Sequence, residues 1–348
     1  MNTLSLEYIG GKLLPQQLLK TIRLIGEYKG RQDLFKAQAP QMLESLRQVA
    51  MVQSVESSNR IEGITAPHER ILALVGEKTS PKDRSEQEIA GYRDVLNSIH
   101  ANYKNMELSE ELILGMHKDL YGYLPDEGGF WKRRDNRIVQ IMAGGSVVVR
   151  FDPVAASETK KAMADLQKRF EVLWRSGEVE PLLLIASYVF DFSCIHPFQD
   201  GNGRMARLLT LLLLYKQDYE VGRYISLEKV VEQTKDSYYR VLYTSSQGWH
   251  EKEHDILPWW EYFIGVMLLS SYREFEERVG VVSSSRGTKT AMVLDVINGF
   301  AGEFTFADLK ERCPTVSVDM IRKVLKDERG AGNLECRGKG PGARWRNT

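Results

Sequence analysis

The sequence predicts a mostly helical protein whose central part is all-α. Apolar residues recur at helical spacing along most of the chain, and prolines stand where several of these stretches begin. Two runs, residues 182–192 and 205–215, are apolar enough to form buried helices on either side of a polar turn. With 348 residues, at about 150 per domain, the chain is expected to form two or three domains with a sizeable core.

The predicted elements follow local signals from the N-terminus onward. Pro15 and Pro40 precede the first two helical stretches, and a polar loop at residues 77–84 separates these from the next helix. A β-hairpin is predicted before the central helices, because the β-branched runs 137–141 and 147–151 flank a Gly-rich turn. Besides the two apolar runs, helices are predicted over residues 16–28, 41–58, 85–103, 109–121 and 157–174.

The C-terminal segment has the element order of a winged-helix domain. Its residues predict a helix (289–300), a short strand (303–305), two helices (306–312 and 317–328) and a Gly-rich hairpin ending at Trp345.

This segment is mildly basic. Residues 286–348 hold twelve Lys and Arg against eight Asp and Glu, with Arg322, Lys323 and Lys326 on the predicted recognition helix. DNA binding and protein docking both stay open, and docking is favoured because the charge excess is small. The predicted domains are an N-terminal helical region (1–84), a central domain (85–275) and the winged helix (286–348).

The composition excludes several classes of protein. Lys plus Arg and Asp plus Glu both number 47, so a net charge of zero provides no bulk attraction to nucleic acid or membranes. Cys194, Cys313 and Cys336 show no disulfide or zinc spacing, which indicates a reducing compartment. The first residues do not resemble a signal peptide, and no apolar run approaches the ~20 residues of a membrane span. A cytoplasmic location is therefore expected.

The most informative segment is the polar turn HPFQDGNGRMAR, residues 196–207. His196 could accept a proton from an attacking hydroxyl, with a pKa expected near the working pH. Asp200 is a hard oxygen ligand suited to Mg²⁺. The sequence Gly201-Asn202-Gly203 can aim backbone N–H groups at one anion where the next helix begins.

Two guanidinium groups complete this turn. Arg204 and Arg207 are three residues apart, so they share one part of a helix surface and could clamp a polyphosphate. The alternative is a structural salt-bridge cluster at a helix–helix turn. Seven functional groups at fixed spacing favour the anion site over that alternative.

The turn resembles, without a departure, the signature H-P-F-x-[DE]-G-N-G-R-x-x-R of the Fic family of nucleotidyl transferases. The resemblance implies Mg²⁺-dependent transfer of AMP from ATP to a Ser, Thr or Tyr hydroxyl of a protein. Gly203, where kinase-like relatives carry Lys, indicates adenylyl rather than phosphoryl transfer. The implied roles are a general base (His196), a Mg²⁺ ligand (Asp200), an anion hole (Gly201, Asn202, Gly203) and ligands of the outer phosphates (Arg204, Arg207). A downstream segment, residues 236–242, resembles the part of the family that closes on adenine, which makes Tyr238 and Tyr239 candidates to stack on or hydrogen-bond the base. The alternative is a tyrosine pair that belongs to the core.

A second segment, Ser58-x-x-x-Glu62-Gly63, resembles the inhibitory motif [ST]-x-x-x-E-[GN] of Fic proteins with an N-terminal inhibitory helix. The resemblance implies that Glu62 pairs with Arg207, because a carboxylate competes with phosphate for one guanidinium. The alternative is an ordinary helix end with Gly63 as its cap. The predicted hairpin would then be the flap of the family, which offers an edge to a target segment.

The expected partners are ATP, a protein hydroxyl, the chain itself as a target, and further copies of the chain in a homo-oligomer. DNA is less favoured and no membrane is expected. Two other functions stay open: hydrolysis that removes AMP from a modified protein, and a DNA- or protein-binding regulator with a sensing site. His250-Glu251-Lys252-Glu253-His254 also matches a zinc-peptidase pattern, but its charged middle favours a solvated linker.

Overall fold

The structure is a computed structural model, and it describes residues 3–38, 40–124, 127–141, 147–284, 290, 293–294, 296–297, 300, 303–313, 316–338 and 340–347. The mostly helical prediction is confirmed, with a small β-hairpin and a small C-terminal sheet as the only strands of the described residues. The chain divides into two compact units, Met1–Gln32 with Leu43–Phe275, and Asp33–Met42 with Glu276–Thr348. The helices of the predicted N-terminal region thus fall largely within the larger unit, together with the central domain.

Six helices form the first half of the chain, before the hairpin. They are α1 (Leu6–Gly10), α2 (Gln16–Gln38), α3 (Pro40–Ile61), α4 (His68–Val75), α5 (Arg84–Asn102) and α6 (Glu110–Leu120), with a 3₁₀ turn at Tyr103–Asn105. Side-chain caps begin three of them, because Ser5 accepts from Tyr8 N–H, Asp83 from Glu86 N–H and Ser109 from Leu112 N–H.

The helices of the second half surround the polar turn. They are α7 (Ala156–Ser176), α8 (Pro181–Ile195), α9 (Asn202–Lys216), α10 (Leu227–Gln233), α11 (Lys235–Ser246) and α12 (Leu257–Trp260), with a 3₁₀ turn at Val221–Arg223. A π-helical stretch, Glu261–Leu268, continues α12 into α13 (Leu269–Ser284). Within the described residues, no helix combines the length and apolarity needed to cross a membrane.

The core of the larger unit is built around α8 and α9. Nearly every side chain of these two helices is buried, and α8 packs against both α7 and α9 while α5 packs against α9. A helix that is apolar on all sides is stable in water only in such a position. The turn between α8 and α9 therefore projects from the most rigid part of the fold.

The predicted hairpin is present as strands β1 (Ile138–Ile141) and β2 (Val147–Phe151). They pair antiparallel, with Val139 opposite Val149 and Ile141 opposite Val147, and the predicted turn at 143–146 lies outside the described residues. Valines on this hairpin are 40–60% exposed, namely Val139, Val147, Val148 and Val149. The hairpin thus presents an apolar, solvent-facing surface.

From Phe304 onward, the described residues of the smaller unit form three strands and two helices. Strand β3 (Phe304–Thr305) leads into α14 (Phe306–Arg312), and α15 (Val318–Gly330) is followed by the hairpin of β4 (Leu334–Arg337) and β5 (Arg344–Asn347), with a 3₁₀ turn at Gly340–Gly342. The strand order is β3–β5–β4, and both pairings are antiparallel. Buried apolar side chains from these elements form one core with Val293 and Ile297, and half of the residues of the helix predicted over 289–300 lie outside the described residues.

Candidate active site

The polar turn depends on two residues with left-handed backbone conformations. His196 ends α8 with φ of 51°, and Gly201 stands before α9 with φ of 81°. A positive φ is unfavourable for a residue with a Cβ, so the conformation of His196 requires support from its surroundings. Since Gly201 provides no side-chain cap for α9, the first N–H groups of that helix are left for another partner.

The stretch between α6 and β1 supplies part of that support. The Lys132 ammonium group donates to Ile195 O at 3.1 Å and to Asn136 Oδ1 at 2.8 Å, and its backbone N–H donates to Pro197 O at 2.8 Å. Asn136 in turn donates to Phe198 O at 2.9 Å. Burial lowers the pKa of Lys132 to about 8. These bonds hold the carbonyl groups on both sides of His196.

His117 of α6 braces the turn from the other side, and sequence reasoning missed it. Its ring stacks on Phe198 with centroids 3.7 Å apart, and its Nδ1 accepts from Gly129 N–H at 3.0 Å. The proton must then be on Nε2, which lies 3.1 Å from the Asp200 carbonyl and donates to it. A lone His on a predicted helix carries no signal for this role in the sequence.

His196 presents a neutral imidazole with one free nitrogen. Its Nδ1 lies 3.3 Å from Ser193 O, and because a carbonyl can only accept, Nδ1 carries the proton and Nε2 is left as a base. Burial, together with the nearby Lys132 charge, lowers the pKa of His196 to about 4. The pKa is therefore below the near-neutral value expected from the sequence, because the ring is set among buried groups.

Fewer groups of the turn are available to bind an anion than the sequence indicates. Gly201 N–H donates to Asp200 Oδ1 at 2.6 Å, and the Asn202 side chain makes two 2.8 Å bonds to the backbone of Phe198. The Gly201 N–H is therefore already satisfied, and the Asn202 amide holds the turn rather than a ligand. The backbone N–H groups of Asn202 and Gly203, at the start of α9, are the ones placed for an anion.

Glu62 lies at this anion hole. A Cβ built on Gly203 would overlap Glu62 Oε1, and it would lie 3.2 Å from Arg207 Nη1. Only a glycine therefore leaves room at position 203 for an acidic group against the start of α9. In this structure the acidic group in that space is the carboxylate of Glu62, whose side chain is 31% exposed.

Arg207 joins α9 to the end of α3. Its Nη2 donates to Glu62 Oε1 at 2.7 Å and to Ser58 O at 2.9 Å, and its Nε donates to Ser58 Oγ at 2.8 Å. Although burial opposes it, the Glu62 charge raises the pKa of Arg207. Gly63 follows with φ of 82°, the conformation of a glycine that caps a helix. The end of α3 therefore has the glycine cap of the alternative interpretation as well as the Glu62–Arg207 pair. The buried Nη1 has no hydrogen-bond partner and faces the anion hole.

Arg204 has a different environment from Arg207. It is 1% exposed, and its Nη2 lies 2.7 Å from Glu88 Oε2 of α5 and 2.9 Å from the Tyr121 hydroxyl. The two guanidinium groups therefore do not form one clamp in this structure. Glu88 and Tyr121 were not singled out from the sequence, because a Glu on a helix and a Tyr after one are common.

The two tyrosines of α11 also differ. Tyr238 is 6% exposed, packs against Trp259 and Tyr262 and interacts with Arg207, so its ring face is not available to stack on a base. Tyr239 is 43% exposed, with the Lys235 ammonium group 5.8 Å from its ring centroid. Of the pair, Tyr239 has the accessible ring that base stacking requires.

Asp200 fits the requirements of a Mg²⁺ ligand. Its side chain is exposed, and its backbone is held by His117 and by the start of α9. Within the described parts of the chain, no group of three or more His, Cys, Asp or Glu could hold a metal ion. A single carboxylate completed by substrate phosphates and water is the usual Mg²⁺ arrangement in nucleotide sites.

The histidines of the zinc-like pattern have separate partners. His250 Nε2 lies 2.7 Å from Asp152 O, and the His250 ring stacks on Phe151 of β2. His254 is buried, with its Nε2 2.8 Å from the Thr3 hydroxyl. Their surroundings are those of structural histidines.

His117→Phe is expected to weaken the metal site. The phenyl ring preserves the stack on Phe198 but loses both hydrogen bonds, so Asp200 is held less firmly and the Gly129 N–H is left unpaired. If Asp200 is a Mg²⁺ ligand, we expect the dissociation constant for Mg²⁺ to rise about tenfold, within the range typical for such supporting groups. Thr159→Ala removes a buried hydroxyl bonded within α7 and serves as the control. An equal dissociation constant for Mg²⁺ in the two variants would contradict this role.

Residues 107–214 match the Fic/DOC family, a stretch that includes His117, Tyr121 and the whole polar turn. Protein adenylyltransferase Fic from Drosophila willistoni is 27% identical over 220 residues, which cover 61% of this chain and 40% of that protein. The corresponding protein from Culex quinquefasciatus is 27% identical over 216 residues, covering 59% and 39%. The match thus spans about two fifths of the length of these relatives.

Solved structures agree on the fold. A Fic family protein from Desulfovibrio desulfuricans superimposes with a TM-score of 0.63 at 23% identity and covers 97% of both chains. A Fic domain containing signaling protein from Bacteroides thetaiotaomicron gives 0.60 at 20% identity, covering 75% of this chain and 98% of that one. Residues 107–214 are thus similar to Fic/DOC domains, and this part of the chain is distantly similar, at 27% identity, to Fic protein adenylyltransferases.

Proposed function

We propose that this protein is a Mg²⁺-dependent protein adenylyltransferase that moves AMP from ATP to a Ser, Thr or Tyr hydroxyl, restrained by Glu62. The observation that carries the proposal is the placement of the neutral His196 beside an anion hole that has the Glu62 carboxylate already in it. A site that accommodates one anion and one base fits an acidic phosphate and an attacking hydroxyl.

In the proposed reaction, His196 Nε2 accepts the proton of the target hydroxyl. The hydroxyl oxygen forms a bond to the α-phosphorus of ATP while the bond to the β-phosphate oxygen breaks, and pyrophosphate leaves. The N–H groups at the start of α9 stabilise charge on the transferring phosphate. Mg²⁺ bound by Asp200 and the phosphates would neutralise part of the negative charge of the nucleotide.

The two arginines have different proposed roles. Arg207 is the candidate for the γ-phosphate, since its unpaired Nη1 lies beside Gly203 and its Nη2 is held by Glu62. Arg204 also has unpaired nitrogens, Nε and Nη1, but its side chain is only 1% exposed. Arg204 contacts Glu88 and Tyr121, so its proposed role is to hold α9 against α5 and thereby support the turn. Tyr239 is the candidate for stacking on the base, with Tyr238 as part of its support.

The hairpin is the proposed docking surface for the target. Strand β2 is exposed through its valines, and its backbone can pair with an extended segment of another protein. Arg150 at the end of β2 lies over the Tyr243 ring of α11, with 4.8 Å to the centroid. This contact ties the hairpin to the helix that also carries Tyr239.

The smaller unit is proposed to be a winged helix that docks on protein. Its strand order and its two described helices support that fold. On α15, the exposed Arg322, Lys323 and Lys326 are interspersed with the exposed Asp319 and Asp327. A surface of mixed sign suits a protein partner better than a DNA backbone, which requires a consistently basic face.

The function is tested with purified protein and labelled nucleotides. The Glu62→Gly variant is incubated with Mg²⁺ and ATP labelled on either the α- or the γ-phosphate, alone and in cell lysate. Adenylyl transfer attaches only the α-label to protein, whereas a kinase attaches only the γ-label. Labelled GTP, CTP and UTP test the choice of base. The absence of any α-label on protein would refute the proposal.

A further inference from the structure

A buried carboxylate, that of Glu228, contacts α3, the helix that ends directly before Glu62. Glu228 is 1% exposed and accepts from Ser54 Oγ at 2.7 Å, from Tyr92 at 3.0 Å and from Ser226 Oγ at 3.2 Å. We name these four residues the Glu228 cluster. Ser54 belongs to α3, Tyr92 to α5, and the other two to the start of α10.

We propose that Glu228 is a positioning residue that holds α3 in the pose that places Glu62 on Arg207. This inference rests on the proposed function, because it concerns the restraint of that same site.

The cluster is connected to the candidate active site through buried hydroxyls. Tyr92 interacts with Glu228 and also with Ser58, and Ser58 accepts two hydrogen bonds from Arg207. Arg207 and Glu228 also line one small, partly open and mainly apolar cavity of about 20 Å³. Glu228 is thus linked to Glu62 by a continuous series of polar contacts.

The energetics favour a role in holding α3. A buried carboxylate needs its hydrogen bonds, and bonds to a charged acceptor are stronger than those between neutral groups. If α3 moves away, Ser54 leaves and Glu228 stays buried with two hydroxyl partners instead of three. Displacement of α3 therefore leaves a charge poorly satisfied in the core, which opposes the release of Glu62.

Neighbouring contacts act on the same helix in the same direction. The Lys235 ammonium group donates to Ile61 O at 2.7 Å, directly before Glu62, and Arg60 donates to Glu232 Oε1 at 3.1 Å. Glu228, Glu232 and Lys235 all belong to α10 and the start of α11. This short stretch therefore contacts the last two turns of α3 at three positions, Ser54, Arg60 and Ile61. Of the side-chain contacts, the one to Ser54 is fully buried.

The test compares Ser54→Ala with Ser57→Ala. Both remove a buried hydroxyl from α3, but Ser57 is not a partner of Glu228 or Arg207. Hydrogen–deuterium exchange of peptides covering residues 43–61 measures the release of α3 without any need for activity. We expect exchange in these peptides to be about tenfold faster in Ser54→Ala than in Ser57→Ala, with the exchange of α8 and α9 unchanged.

Two further measurements separate the proposal from the proposed function. Glu228→Gln, which keeps the shape and removes the charge, is expected to accelerate α3 exchange in the same direction. Self-labelling should rise several-fold in Ser54→Ala, but Ser54→Ala should add nothing in the Glu62→Gly background. If Glu62→Gly labels no protein, the proposed function fails, yet the exchange comparison still decides the role of Glu228. Equal α3 exchange in Ser54→Ala and Ser57→Ala would overturn that role.

Discussion

Replacing His196 with alanine is expected to reduce AMP transfer by at least about 100-fold, the usual contribution of a positioned general base. The free Nε2 is the proton acceptor beside the anion hole, and alanine removes it without touching the backbone N–H groups of α9. The measurement is the rate of α-label incorporation in the Glu62→Gly background, because the activity expected there is high enough for a decrease to be measured. ATP binding, measured by calorimetry in the same background, should change little, because Arg207 and the start of α9 are intact. A rate equal to that of Glu62→Gly would refute the role of His196.

The pH dependence follows from the lowered pKa of His196. The neutral imidazole is the active form, so a folded pKa of about 4 leaves the base ready at neutral pH. We expect kcat/KM to stay flat from about pH 8 down to about pH 5 and to fall as the pH drops through about 4, the value for the nucleotide-free protein. A bound nucleotide brings negative charge and should raise the pKa seen in kcat. A fall in kcat/KM already between pH 7 and 6 would contradict this.

Glu62→Gly is expected to raise self-labelling by at least about tenfold. In the parent the Glu62 carboxylate bonds Arg207 and lies against Gly203, where a phosphate would bind. Removing it frees Nη2 for the γ-phosphate, and a charge-assisted contact of this kind contributes about 1.5–3 kcal/mol. The measurement is the initial rate of α-label incorporation at saturating Mg·ATP, parent against variant.

Two variants identify the cause of that gain. Glu62→Gln keeps the size and one acceptor but not the charge, so it should activate to an intermediate extent. Arg207→Ala added to Glu62→Gly should cancel the gain, because the freed guanidinium is gone. Unchanged labelling in Glu62→Gly would refute the inhibitory role.

The same variant distinguishes AMP transfer from AMP removal. If the protein were instead a hydrolase for AMP-modified targets, Glu62 would be the group that orients water, and Glu62→Gly should lose that activity. The measurement is the release of AMP from protein modified beforehand. A parent that releases AMP faster than it attaches AMP would favour the hydrolase.

Much of the local structure could be predicted from the sequence. The two buried helices around the turn follow from apolar runs, and the start of α9 directly after the turn follows from Gly201 and Gly203. The hairpin appears where β-branched runs indicated, at nearly the predicted residues. Such features depend on neighbours along the chain, where periodicity and turn chemistry carry the information.

Side-chain contacts in and near the turn follow less directly from the sequence. Asn202 holds Phe198, Tyr238 is buried in the core, and the N–H of Gly201 is taken by Asp200. Each of these residue types suits a ligand as well as a structural bond. Which of the two it makes depends on the atoms that the folded chain brings within reach.

The sequence by itself determined the mostly helical fold, the polar turn and the chemical groups that the turn carries. It also indicated that Glu62 could reach Arg207, through a resemblance rather than through geometry. Only the tertiary structure decided that Arg204 faces Glu88 while Arg207 faces Ser58 and Glu62. Spacing along a helix sets the angle between two side chains, but the partner of each is set by which helix packs against that side. For the same reason the sequence did not indicate His117 or Glu228. Their contacts form only where α6 packs against the turn and where α3 packs against α10.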